Sequence, residues 1–138
     1  FEGFDEAEAK KELELGNCKE SFLESHKDTS VERMLGNLPY PDNAIVCKGF
    51  FPKSVTEKAK SEKYAFVSLD VDFEESTLEG LRFFYPRLSE GGYIFIHDYN
   101  TQYLRGVKNA VENYEHETGC KLKKVPLADR AGTLIIIK

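Results

Sequence analysis

Two apolar runs stand out from an otherwise mixed chain: YAFVSLDVD at residues 64–72 and GGYIFIHDYN at residues 91–100. Neither alternates polar with apolar positions, and an unbroken run of this kind suits a strand covered on both faces. Between them, Ser76 and Glu79 have the spacing of a capping box. Leu78, Leu81, Phe84, Tyr85 and Leu88 then recur at helical intervals up to a stop at Gly91-Gly92. The pattern predicts strand, helix, strand. A right-handed crossover makes the two strands parallel and brings Asp70, Asp72, His97 and Asp98 to the carboxyl edge of one sheet. Open α/β sheets bind ligands at that edge.

The flanking pattern is less regular. Residues 1–25 are dense in charge and lack an apolar stripe, so a helix over Glu6 to Leu15 is expected to be exposed. Thr29 and Glu32 have capping-box spacing before Val31, Met34, Leu35 and Leu38, which predicts a short helix ending before Pro39. Asn43 to Phe51 reads as a strand interrupted by Gly49, and a strand glycine often marks a bulge or a ligand's close approach. Lys53 to Lys63 predicts a short polar helix. Further on, Leu104, Val107, Ala110, Val111 and Tyr114 share one face of a helix between Thr101 and Thr118, with Gly119 as its stop. Lys121 to Leu127 and Thr133 to Ile137, joined by a turn-like segment, read as an antiparallel hairpin. The order predicts one α/β domain over residues 1–138 with an antiparallel pair at its end.

Composition narrows the function. The 138 residues hold 19 Lys and Arg against 24 Asp and Glu, a formal charge of −5, so the chain lacks the basic footprint of a nucleic-acid binder. No apolar run approaches the roughly 20 residues that cross a bilayer, and no basic-then-apolar leader opens the chain. A soluble cytoplasmic protein without a membrane partner is the expectation. Cys18, Cys47 and Cys120 are odd in number and widely spaced, which argues against a disulfide framework or zinc knuckle. Cys47, inside an apolar run, is expected to be an inert core thiol.

A family likeness is carried by FEGF at the start, DTSVERML, KGFFP, SLDVDFEEST, FFYPRLSEGGYIFIHDYN, GVKNAV and the closing PLADRAGTLIIIK. In this order the segments resemble the macrocin O-methyltransferase family of S-adenosylmethionine-dependent enzymes. The resemblance implies a Rossmann-like class I methyltransferase sheet, mostly parallel with a C-terminal antiparallel hairpin, in the strand order 3-2-1-4-5-7-6. FEGF resembles the segment that follows strand 2. The resemblance therefore implies a chain without its first two strands and glycine-rich turn, leaving a gap between the 43–51 and 64–69 strands. An unpaired strand edge invites a partner, so a homodimer or strand exchange across the gap is expected.

The same resemblance assigns roles. Asp70 takes the first metal-ligand position and that of a base, and it also contacts cofactor. His97-Asp98-Tyr99 stands where the family has Asp-Asp-Tyr. Glu2 and Gly3 border the ribose site, while Gly49 and Phe50 lie at the adenine. Tyr99 and Arg105, with Tyr103, are candidates for the pocket of a small-molecule hydroxyl acceptor. Imidazole in place of a carboxylate disfavours magnesium and suits a softer divalent ion; otherwise His97 itself takes the proton. More ordinary roles compete. Asp70 and Asp72 suit a helix N-terminus, His97 a hydrogen-bonded strand end, Phe50 a rim aromatic, and Tyr99 and Arg105 a helix-start surface. His26 and His116 sit in charged surroundings and have no expected role.

Two other functions fit parts of the pattern. Asp70-Val71-Asp72 after an apolar strand resembles the Asp-x-Asp of nucleotide-sugar glycosyltransferases. A non-catalytic chain that associates through an exposed sheet edge is the third reading.

Overall fold

The structure, a computed structural model, describes residues 4–23 and 30–138. The first described helix, α1 (Glu6–Glu14), starts where the Asp5 carboxylate accepts the amide N–H groups of Ala7 and Glu8. Two short helices follow, α2 (Glu20–Leu23) and α3 (Val31–Gly36). The cap of α3 is Ser30, whose hydroxyl accepts from the Arg33 amide; Thr29, the expected cap, lies outside the described residues. Next comes α4 (Glu57–Ser61), capped by Thr56. The predicted unit then appears as β1 (Tyr64–Leu69), α5 (Glu74–Phe84) and β2 (Leu88–Ile96). It is followed by α6 (Arg105–Thr118), β3 (Lys123–Pro126) and β4 (Leu134–Ile137).

The four strands form one sheet in the order β1-β2-β4-β3. β1 pairs parallel to β2, and β4 runs antiparallel to both β2 and β3, so three strands share one direction. This is the 4-5-7-6 side of the expected sheet, with the C-terminal hairpin where the pattern placed it. One face carries Val67, Leu69, Ile94, Ile96, Leu134 and Ile136, brought into line by the strand register. Helices α5 and α6 cover that face with Leu81, Val107, Val111 and Tyr114. Gly80 allows α5 to lie close on β1, since a Cβ there would come 2.5 Å from Leu69 Cδ1. Gly119 ends α6 at φ 66, in the left-handed conformation that glycine adopts freely.

Four expectations are corrected. Residues 43–51 do not form a strand. Among the described residues no strand pairs with this segment, so no ladder holds it extended. Ile45 and Phe50 are 69% and 48% exposed, and Cys47, expected in the core, is exposed as a free thiol. The strands β1 and β2 are also not covered on both faces: Phe66 and Tyr93 remain 50% and 42% exposed. Finally, Gly91-Gly92 does not stop the helix. A 3-10 turn at Tyr85–Arg87 does, and Gly91, at φ 73, lies within β2 where the pairing with β1 shifts register.

Candidate functional site

The parallel register sets the site. Leu69 is paired with Ile96, and the next amide, His97 N–H, donates to Leu69 O at 3.0 Å. Asp70 and His97 therefore leave neighbouring strands side by side at the carboxyl edge. His97 Nδ1 lies 3.2 Å from Asp70 Oδ1 and 2.8 Å from Asp98 Oδ2. One donor atom from each of these three residues falls within 4.8 Å of the other two. The Asp70 and His97 side chains are about half exposed, whereas Asp98 is only 20% exposed.

The backbone around them turns sharply. Phe73 N–H closes onto Val71 O at 2.7 Å, with Asp72 between them at φ 65. Asp98 is also left-handed, at φ 57, a conformation aspartate tolerates better than most residues at a cost of about 1 kcal/mol. It starts a turn in which Thr101 N–H donates to Asp98 O. The loop between β3 and β4 supports that turn: Asn100 N–H donates to Gly132 O at 3.0 Å, and a Cβ at Gly132 would stand 2.7 Å from Asn100 Cβ.

The electrostatics follow from this packing. Partial burial opposes the charged form of His97, but the hydrogen bond to Asp98 and the charges of Asp70, Asp98 and Asp129 outweigh it and raise its pKa. Asp129 itself is held below the usual carboxylate range, chiefly by hydrogen bonds from Thr133. An imidazole among carboxylates can bind a divalent cation, or take a proton while its Nδ1 is held by Asp98.

The other sequence candidates lie around this cluster or outside it. Tyr99 is half-buried and packs against the core, while Arg105, the first residue of α6, is exposed and donates its amide to Asn17 O at 3.2 Å. Tyr103 is exposed beneath the Lys19 ammonium, 5.6 Å from its ring centre. Gly49 lines a cavity of about 420 Å³ with Phe51, Tyr64, Phe83 and Phe84, and Phe50 lines a cleft of about 410 Å³ beside α1. Asp70, His97 and Asp98 border neither space. Glu2 and Gly3 lie outside the described residues. Ser76, the expected cap, lies inside α5, and Glu79 does not close a capping box with it. Glu79 pairs with Arg82 instead, and two residues that sequence reasoning passed over, Glu8 and Glu12, reach from α1 to the first turn of α5. Their i, i+4 spacing on a helix capped by Asp5 was the available signal.

The mixed α/β fold with one four-stranded sheet matches that of solved methyltransferases. The chain belongs to the macrocin O-methyltransferase family, whose model matches residues 8–133. Among solved structures it resembles the O-methyltransferase NovP, at 24% identity and a TM-score of 0.70, over 99% of this chain and 56% of that one. The chain thus spans little more than half the length of that structure. Weaker similarity is found to CalS11, a TDP-rhamnose 3'-O-methyltransferase, at 19% identity and a TM-score of 0.44, over 54% of this chain and 31% of the other. No curated protein matches the chain. No described helix is long and apolar enough to cross a membrane.

Proposed function

We propose that this chain carries the acceptor side of an S-adenosylmethionine-dependent O-methyltransferase acting on a hydroxyl of a sugar or secondary metabolite. The observation behind the proposal is the meeting of Asp70, His97 and Asp98 at the carboxyl edge of a sheet belonging to the macrocin O-methyltransferase family. Family membership favours this reading over a glycosyltransferase built on Asp70 and Asp72.

Methyl transfer to oxygen requires the hydroxyl in line with the methyl group and removal of its proton. S-adenosylmethionine, when bound, supplies the electrophilic methyl. Phe50, half exposed, offers a ring face for adenine, and Gly49 precedes it at φ 130, a conformation that glycine adopts freely. Asp70, Glu2 and Gly3 complete the proposed cofactor contacts. Tyr99 and Arg105 flank the acceptor.

The donor set of the cluster, two carboxylates and an imidazole with one donor atom from each within 4.8 Å of the other two, suits a divalent ion. Asp70, His97 and Asp98 would hold the ion, which would lower the acceptor's pKa. Two carboxylates and an imidazole suit manganese better than magnesium.

A second proton route rests on the 2.8 Å contact between His97 Nδ1 and Asp98. With Nδ1–H donating to Asp98, Nε2 is left to accept the hydroxyl proton, as in oriented imidazole bases.

Calorimetry against S-adenosylmethionine and UDP-sugars, each with and without magnesium or manganese, tests the proposal. Binding of S-adenosylmethionine is expected. Binding of a UDP-sugar alone, and only with manganese, would overturn the assignment. Silence from all ligands, together with a concentration-dependent dimer in sedimentation, would favour the associating chain.

A further inference from the structure

We propose that Glu12 is a positioning residue for the candidate site, joining the starts of the two helices that follow the Asp70 and His97 strands. The inference rests on reading Asp70, His97 and Asp98 as the acceptor site. Glu12 is a charged residue only 2% exposed, an expensive place for a carboxylate unless its oxygens are occupied. One oxygen accepts the Glu74 amide at 3.1 Å, the first residue of α5. The other faces α6: a Cβ on Gly106 would lie 2.6 Å from it, and 3.0 Å from the Glu74 nitrogen. The Asn17 side chain hydrogen-bonds the same carboxylate, and Asn17 O accepts the Arg105 amide. One acid thereby contacts or borders the amino ends of both helices, where a negative charge is also favoured by the helix dipoles.

The neighbours strengthen the joint. Glu8, 7% exposed, accepts the Ser76 amide at 2.7 Å, and the Phe4 ring packs on Phe73 with centres 4.7 Å apart. Between Asp70 and Glu74 the chain makes the tight turn closed by Phe73 and Val71, so there is little slack to absorb a shift of the α5 start. On the other strand, Arg105 and Gly106 follow the turn that begins at Asp98. Moving the two helix starts apart therefore alters the spacing of Asp70 from His97 and Asp98.

Four variants of the full 138-residue chain test this, read by backbone amide NMR and by manganese titration: Glu12→Ala, Glu12→Gln, Gly106→Ala and Leu122→Ala. Leu122 is buried in the core just before β3, toward the opposite end of the sheet, and serves as the stability control. Glu12→Ala is expected to move the Asp70, His97 and Asp98 amide resonances and to weaken manganese binding about tenfold, the scale of supporting contacts around metal ligands. Glu12→Gln keeps an acceptor oxygen and should stay within about threefold of the parent. Leu122→Ala should lower the melting temperature and leave the three resonances in place. If Glu12→Ala fails to fold, Gly106→Ala, which presses on the Glu12 carboxylate, should move the same resonances. Unmoved resonances in the folded Glu12 or Gly106 variants, or equal movement in Leu122→Ala, would overturn the proposal. A parent chain that binds no manganese would instead contradict the metal reading, and the resonances would still decide the role of Glu12.

Discussion

The two faces of the sheet are built from similar residues and end in different environments. On the face under α5 and α6, Leu69, Ile94, Ile96, Leu134 and Ile136 are at most 4% exposed. On the opposite face the same strands present Phe66, Tyr93, Phe95, Ile135 and Ile137. Phe66 meets Tyr93 and Phe95 edge-on at 5.4 and 5.3 Å, yet keeps half its surface open. An unbroken apolar run specifies two apolar faces; whether both are buried depends on what the fold supplies to cover them. Stability should therefore reside in the helix-covered face, leaving the other tolerant of change.

Truncation is the largest break of that comparison. Ile94→Ala, at a fully buried position, should cost about 2–5 kcal/mol in urea denaturation. Phe66→Ala on the open face should cost about 1 kcal/mol, mostly its aromatic contacts. Equal losses would mean that the open face is covered in solution.

A smaller effect concerns the buried acids at the end of the covered face. Burial, with the neighbouring charges of Glu74 and Glu8, raises the Glu12 pKa despite the bonds from the Glu74 amide and Asn17 that oppose the rise. A raised carboxyl favours the folded state below its unfolded value of about 4.3, and that contribution fades as pH rises through the folded value. Glu12→Gln should remove this dependence, flattening stability against pH above the unfolded carboxyl value of about 4.3. An unchanged slope would show that other groups set it. The smallest effect belongs to the solvent side of the helices. Arg82 pairs with Glu79 and Glu117 but is 43% exposed, so Arg82→Ala should cost no more than about 1 kcal/mol and less at high salt.

What could be read from the sequence were features with a period or a stop signal. The parallel unit, the buried stripe of α6, its Gly119 terminus and the hairpin of β3 and β4 all carry such signals, and the meeting of Asp70 with His97 and Asp98 follows from the crossover rule. The 43–51 segment was misread because its apolar residues signal burial, while a strand also needs a neighbour with a matching edge. Cys47 was misplaced for the same reason. Helix α1 was read as exposed because the side chains it buries include Glu8 and Glu12, and a buried acid looks like a solvated one until the amide it caps is known. Ser76 and Glu79 had capping-box spacing but lie inside α5, whose first-turn amides are satisfied by acids more than 60 residues away in sequence.

The metal reading of the site depends on His97 as a ligand, and competition between manganese and magnesium in the parent chain and in His97→Asp tests it most directly. The account predicts manganese preference in the parent and a shift toward magnesium once the third donor is a carboxylate. The same preference in both chains, or no binding by the parent, would contradict it.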